Sequence, residues 1–289
     1  MSSRHSVFTS GNTAVISGGA SGVGFALAKK CVGFEMNVAI CDINAENLES
    51  AVGVLKNGGK TQVEGVVVDV GVGVVGDYVK VRKVVEERFD GKISLLVLNA
   101  GMGIRTTTPW EDPTYFEKTF QTNIFGITNG LCVLLPLVLS QSSPSTPTSI
   151  IITGSKQGIT NPPGNPAYNA SKAAVKSITE NLALNLTTKS PSTSVHLLVP
   201  GWTFTGMTGN VGTRGGGGKE KPAGAWWPEQ VADYLERKMG EGQFYVVCPD
   251  GDVSEEMDRK RMLWDRLDLE EGRQPLTRWR EEWKEAEKR

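Results

Sequence analysis

Seven short apolar runs, rich in β-branched residues and spaced so that one helix fits between each pair, limit what this chain can fold into more than any other feature. They fall at residues 13–17, 37–41, 66–69, 95–98, 149–153, 194–199 and 244–248. Each run is continuous rather than alternating, which is the pattern of parallel strands covered on both faces. Helix-compatible stretches occupy 22–33, 45–56, 77–89, 116–139, 167–186 and 229–239. Strand and helix in strict alternation predict the α/β class, with a doubly wound parallel sheet. One domain over residues 1–252 is expected, followed by a helical C-terminal extension over 253–289. Open α/β sheets of roughly 250 residues commonly form one unit. A chain of this size buries about three quarters of its unfolded surface and needs no disulfide or metal staple.

Composition narrows the function by exclusion. With 31 Lys+Arg against 32 Asp+Glu the formal charge is -1, so no global basic footprint for nucleic acid or an acidic membrane surface is present. Cys31, Cys41, Cys132 and Cys248 are widely spaced, with no CxxC pair. Neither a zinc site nor a disulfide framework is indicated, no metal is expected, and a reducing cytoplasm is the expected location. Residues 1–13 lack the apolar core of a signal peptide. The longest apolar run, 131–139, contains Pro136 and falls short of the ~20 residues that span a bilayer.

The first strand ends in Ser17-Gly18-Gly19-Ala20-Ser21-Gly22-Val23-Gly24 and leads directly into a helical pattern. Glycines there permit a tight turn (Gly18), close approach of backbone to a pyrophosphate (Gly22), and a side-chain-free contact where helix meets sheet (Gly24). The helix N-terminus then presents unpaired N–H groups and its positive dipole end to the phosphates. Together with the strand before it, the helix after it and an acid ending strand two, this loop predicts a Rossmann-type nucleotide site. Asp42 and Ile43 follow strand two, 18 residues and more beyond Gly24. A carboxylate there accepts hydrogen bonds from ribose hydroxyls and repels a 2′-phosphate, favouring NAD over NADP. Asp42 is also placed to cap the helix opening at Ala45, a role compatible with the first. Asp69 and Val70 fall where an adenine would lie, or where Asp69 caps the next helix.

Tyr168 and Lys172, four apart in a helical stretch, share one face. A phenol with a pKa near 10 is a poor base at neutral pH, and a neighbouring ammonium favours its ionised form. Ser155 places a hydroxyl just past the end of strand five, the edge at which open α/β sheets bind ligands. With Ser17-Gly18-x-x-x-Gly22-x-Gly24, Asp42, Asp69, Asn99-Ala100-Gly101, Asn123, Ser155, Tyr168-x-x-x-Lys172 and Pro200-Gly201, residues 10–250 resemble the short-chain dehydrogenase/reductase family.

That resemblance implies a hydride transfer between NAD(H) and a secondary alcohol or ketone. Tyr168 would be the general acid/base, Ser155 would hold the substrate oxygen, and Lys172 would bind the nicotinamide ribose and lower the Tyr168 pKa. Asn123 would hold a water linking Lys172 to solvent. The cofactor would be lined by Gly18, Ala20, Ser21, Gly22, Val23, Gly24, Asp42, Ile43, Asp69, Val70, Asn99, Ala100, Gly101, Pro200 and Gly201, with Thr203 and Thr205 at its nicotinamide end. Met102, Ile104, Gln157, Trp202 and Met207 would wall the substrate pocket, whose apolar character suits a hydrophobic alcohol or ketone. The family also implies a homodimer or homotetramer built on the helices at 116–139 and 167–186. An NADP-dependent ketoreductase, or a nucleotide-binding relative with a non-redox role, are the alternative readings.

The chain departs from the family pattern in two places. Leu98 stands where many relatives have a first Asn, and Lys156 follows Ser155 where a second Ser or Thr is common. Lys156 is expected either at the pocket rim or in water. Arg105 reads as a solvated loop charge that could instead meet an anionic substrate. Residues 206–224, rich in glycine, are a candidate mobile lid. Trp226 and Trp227 would anchor that lid or pack on the helix that follows. Trp279 and Trp283, in the charged tail, are expected to pack on a neighbour or on the body of the fold.

Overall fold

A computed structural model describes residues 5–57, 61–73, 75, 77–210 and 220–283. Its seven strands are β1 (Thr13–Ser17), β2 (Asn37–Asp42), β3 (Val63–Val67), β4 (Leu95–Leu98), β5 (Thr148–Thr153), β6 (Thr193–Val199) and β7 (Tyr245–Val247). They form a single sheet in the order β3-β2-β1-β4-β5-β6-β7, and every pairing is parallel. The order reverses between β1 and β4, and that switch point opens a crevice at the carboxyl ends of the strands. Continuous apolar runs become continuous burial: every residue of β1, β4 and β5 is buried. β3 lies at the sheet edge and is only partly buried, with Glu64 and Gly65 interrupting its apolar side chains. The strand therefore begins three residues before the apolar run at 66–69 that marks it in the sequence.

Helices α1 (Gly22–Gly33), α2 (Ala45–Lys56) and α8 (Pro228–Gly240) cover one face of the sheet. The other face is covered by α3 (Tyr78–Arg88), α5 (Gly126–Gln141) and α7 (Pro166–Lys189). Asn44 caps α2 by accepting from the Asn47 backbone N–H at 2.9 Å. The helix anticipated over 116–139 is in fact α4 (Pro113–Phe120), a π turn at Gln121–Phe125, and α5. Over Pro113–Gln141 this helical run is long and apolar enough to cross a membrane, with a mean hydropathy of 1.7 in its most apolar window. In the fold 44% of that window is buried, packed on α3, α7 and the sheet.

The last described segment is α9 (Glu255–Glu270) and a short tail. Ser254 caps α9 by accepting from Met257 N at 3.2 Å, and Glu255, Glu256 and Asp258 meet the positive end of its dipole. The tail folds back through Trp264 Nε1 donating to Thr277 Oγ1 at 2.7 Å. Trp279 Nε1 then donates to the Thr160 carbonyl at 3.3 Å. Thr160 ends α6 (Gln157–Thr160), the short helix after Ser155, so the tail packs on the body of the fold beside the crevice. Trp226 stacks edge-on to Tyr234 of α8, and Trp227 to Phe204, so this pair packs against its surroundings. Of the glycine-rich lid anticipated over 206–224, residues 211–219 lie outside the described residues.

Inside β6, His196 is buried and bonded to the Gln243 carbonyl at 2.7 Å and Ser194 Oγ at 3.0 Å. Burial pushes its imidazole down to about 4. A folded-state pKa below the unfolded value of 6.5 means that the unfolded chain binds the proton first. Stability is therefore lost as pH falls from about 6.5 through 4, by about 3 kcal/mol. Urea titrations of His196→Asn should show that acid slope reduced against wild type.

Candidate active site

A cavity of about 790 Å³ follows the carboxyl edge of the sheet across the switch point. Gly18, Ser21, Gly22 and Val23 line it where β1 passes into α1. The turn is built so tightly that a Cβ on Gly24 would overlap the Gly18 carbonyl and crowd Asn99. Gly24 thus makes room for the loop itself and for Asn99, rather than for the sheet. Ser21 precedes α1 without a side-chain cap, and no acid occupies the first turn. The N-terminal N–H groups and dipole are left to favour an anion.

Asn99 holds this bed together. Its amide donates to the carbonyls of Ser17 and Gly18 at 3.2 and 3.3 Å and accepts from Thr153 Oγ1 at 3.1 Å. Ser17 Oγ in turn accepts from the backbone N–H groups of Asn99 and Ala100 at 3.0 and 3.2 Å. The ends of β1, β4 and β5 are thereby tied to one another. Asn99 lines the cavity, and this clamp is a second role that the motif does not reveal.

Both Asp42 oxygens accept backbone N–H groups, Oδ2 from Ala20 at 3.2 Å and Oδ1 from Asn44 at 3.1 Å. These bonds fix the carboxylate at the cavity wall beside the exposed Ile43. Asp42 does not cap α2, because Asn44 takes that place. Asp69 does not cap α3 either: its Oδ1 accepts from Gly71 N at 2.9 Å and closes its own turn. Asp69, Val70, Ala100 and Gly101 also line the cavity, with Gly101 beside Lys172.

Ser155, Tyr168 and Lys172 meet at the cavity's other end. Ser155 Oγ accepts from Gln157 N at 3.2 Å and lies beside Tyr168, whose ionised form it favours. Lys172 is buried, and its Nζ donates to the Thr153 carbonyl at 2.8 Å, 5.7 Å from the Tyr168 ring centre. Burial lowers its ammonium to about 8. The Tyr168 phenol is raised by burial, against a smaller downward pull from Ser155. Desolvation of the phenolate thus outweighs the Ser155 contribution in this structure.

Asn123 stands in the π turn, fully buried and off the cavity wall. Its side chain accepts from Met102 N at 2.8 Å and donates to Met102 O and Ser171 Oγ, each at 2.9 Å. Through these side-chain bonds it shapes the loop after β4. Met102, Gln157, Trp202 and Met207 line the pocket, whereas Ile104 does not. Pro200, Gly201 and Thr203 line it too, and the Thr205 side chain crosses over Gly22. Arg105 is exposed and reaches the cavity rim. Lys156 lines the cavity, the first of its two anticipated positions, and its ammonium is held there in an ion cluster with Asp250 and Asp258.

A family model for short chain dehydrogenases matches residues 12–215. Among curated proteins, an oxidoreductase of Sarocladium schorii, asL5, is 32% identical over 174 residues, 60% of this chain and 65% of that protein. The aligned part spans less than two thirds of the length of such relatives. A short-chain dehydrogenase/reductase of Burkholderia phymatum, solved in complex with NAD, superposes with a TM-score of 0.77 at 26% identity, covering 92% of this chain and 96% of that one. The RhlG–NADP active-site complex of Pseudomonas aeruginosa gives 0.64 at 25% identity, over 71% and 78% of the two chains. With the family model covering more than half of its length, a seven-stranded parallel sheet behind it and a glycine-lined cavity at the switch point, this chain belongs to the short-chain dehydrogenase/reductase family, whose members are NAD(P)-dependent oxidoreductases.

Proposed function

We propose that this protein is an NAD(H)-dependent alcohol dehydrogenase or carbonyl reductase acting on a hydrophobic secondary alcohol or ketone. The observation that carries the reading is the convergence of Tyr168, Ser155 and the buried Lys172 at the end of one cavity. The bound nicotinamide would accept or supply the hydride. Gly18, Gly22 and the N-terminus of α1 would hold its phosphates, and Asp42 its adenosine ribose. Ser155 would hold the substrate oxygen. In reduction the Tyr168 hydroxyl would deliver a proton to that oxygen, and in oxidation the Tyr168 phenolate would take one. Lys172, anchored on Thr153, would stand behind Tyr168 and favour its ionised form. The reading is tested by following nicotinamide absorbance across a panel of secondary alcohols and ketones, with Tyr168→Phe as control.

The cofactor preference rests on Asp42, since related structures carry either NAD or NADP. Two like charges about 5 Å apart at an effective dielectric near 20 repel by about 3 kcal/mol. Asp42→Asn keeps an acceptor oxygen for the loop but removes the charge. It should shift the ratio of kcat/KM for NAD and NADP toward NADP by about tenfold or more. Wild type that prefers NADP would overturn the assignment.

A further inference from the structure

Lys156, the residue that departs from the family pattern beside Ser155, joins three parts of the fold. Its Nζ lies 2.6 Å from Asp258 Oδ2 on α9 and 3.4 Å from Asp250 Oδ1 beyond β7. The three side chains are 15%, 5% and 12% exposed, so the cluster is shielded from solvent and salt. Asp250 Oδ2 accepts from the backbone N–H of Trp202, a residue of the pocket wall. A side chain on Gly201 would overlap that carboxylate. Glycine at this position is what allows Asp250 to reach both the Trp202 amide and Lys156.

On the other side the backbone of Lys156 sets the geometry around Ser155. Lys156 N donates to Pro200 O at 3.3 Å, and Lys156 O accepts from Ile159 N and Thr160 N at 3.0 and 2.9 Å, starting α6. Gln157 N, the first N–H of α6, is the group that donates to Ser155 Oγ. The tail closes the arrangement from outside through the bond from Trp279 to Thr160.

We propose that Lys156 is a positioning residue, which uses its ion pairs with Asp250 and Asp258 to hold the Ser155 turn and the Trp202 wall in register and couples both to the C-terminal helix. The inference rests on the dehydrogenase reading above, in which Ser155 contacts the substrate oxygen. Displacing a contacting group by about 1 Å costs on the order of a hundredfold in rate. A buried pair that loses one partner leaves an uncompensated charge, and its neighbours must move to relieve it.

The test compares wild type with Asp258→Asn, Lys156→Met and Lys156→Arg, using two readouts. Amide hydrogen exchange at Gly158, Ile159 and Thr160 should accelerate about tenfold or more in Asp258→Asn and Lys156→Met, and at Trp202 in Lys156→Met, while β1 and β4 stay unchanged. In the same two variants kcat should fall about tenfold or more with the NAD dissociation constant within about twofold of wild type, and Lys156→Arg should recover most of the loss. If Lys156→Met fails to fold, the near-isosteric Asp258→Asn decides. A lowered Tm with kcat retained, or exchange accelerated evenly through the sheet, would overturn the positioning role. If wild type turns over no alcohol or ketone, the dehydrogenase reading fails, and the exchange pattern still decides whether the cluster holds the Ser155 turn.

Discussion

Tyr168→Phe is expected to lower turnover by about a thousandfold while leaving cofactor affinity within about twofold. Only the hydroxyl is removed. The ring keeps its place in the cavity wall, and Ser155 Oγ retains its bond from Gln157 N. On the proposed mechanism, what disappears is the group that would exchange a proton with the substrate oxygen, a contribution of typically a hundred- to ten-thousandfold in rate. Single-turnover absorbance at 340 nm, with cofactor binding measured separately by fluorescence, separates the two effects. Turnover retained in this variant would remove Tyr168 from the mechanism.

Lys172→Met should separate catalysis from stability. The folded protein buries an ammonium whose pKa falls from 10.5 to about 8. The sign is the same as for His196, since both folded-state values are lowered: below pH 8 both folded and unfolded chains hold the proton, and the full cost of burying the charge opposes folding. Between pH 8 and 10.5 only the unfolded chain still binds the proton, so wild-type stability rises there by about 3 kcal/mol. Methionine has no such dependence. The difference in unfolding free energy between the two proteins should shift by about 3 kcal/mol across that window, measured by denaturant titration at each pH. At pH 7 the variant should be at least as stable as wild type, because relief of the buried charge exceeds the loss of about 1–3 kcal/mol at the Thr153 carbonyl. Activity should nevertheless fall by about a hundredfold or more, as expected for a buried charge retained for function. A parallel pH course for the two proteins would show that Lys172 is not desolvated as the fold requires.

The sheet was legible in the sequence because doubly covered strands must be apolar without interruption, so β1, β4 and β5 announced themselves. β3 was displaced in that reading because an edge strand has less need of continuous apolar residues, and Glu64 and Gly65 satisfy it. The π turn around Asn123 was invisible, since hydrophobic periodicity does not distinguish one extra residue per turn from a helix that runs on. Motif spacing located Ser155, Tyr168 and Lys172 because a helix fixes the last two four residues apart and a strand end fixes the first. The roles of Asn99 and Lys156 were not legible for a different reason. Their partners, Ser17, Thr153, Asp250 and Asp258, are distant in sequence, and only the folded sheet brings them together.

The Asn99 amide bears on the thermodynamics of ligand capture. A bed stitched across three strand ends by the protein's own bonds is already rigid when a dinucleotide arrives, so little backbone entropy remains to be surrendered on contact. Calorimetry should then report a heat-capacity change set by the apolar area the ligand covers, without the larger negative excess that accompanies coupled folding. Asn99→Ala would move the protein toward the second regime, making capture more exothermic and entropically costlier even where the measured affinity changed little.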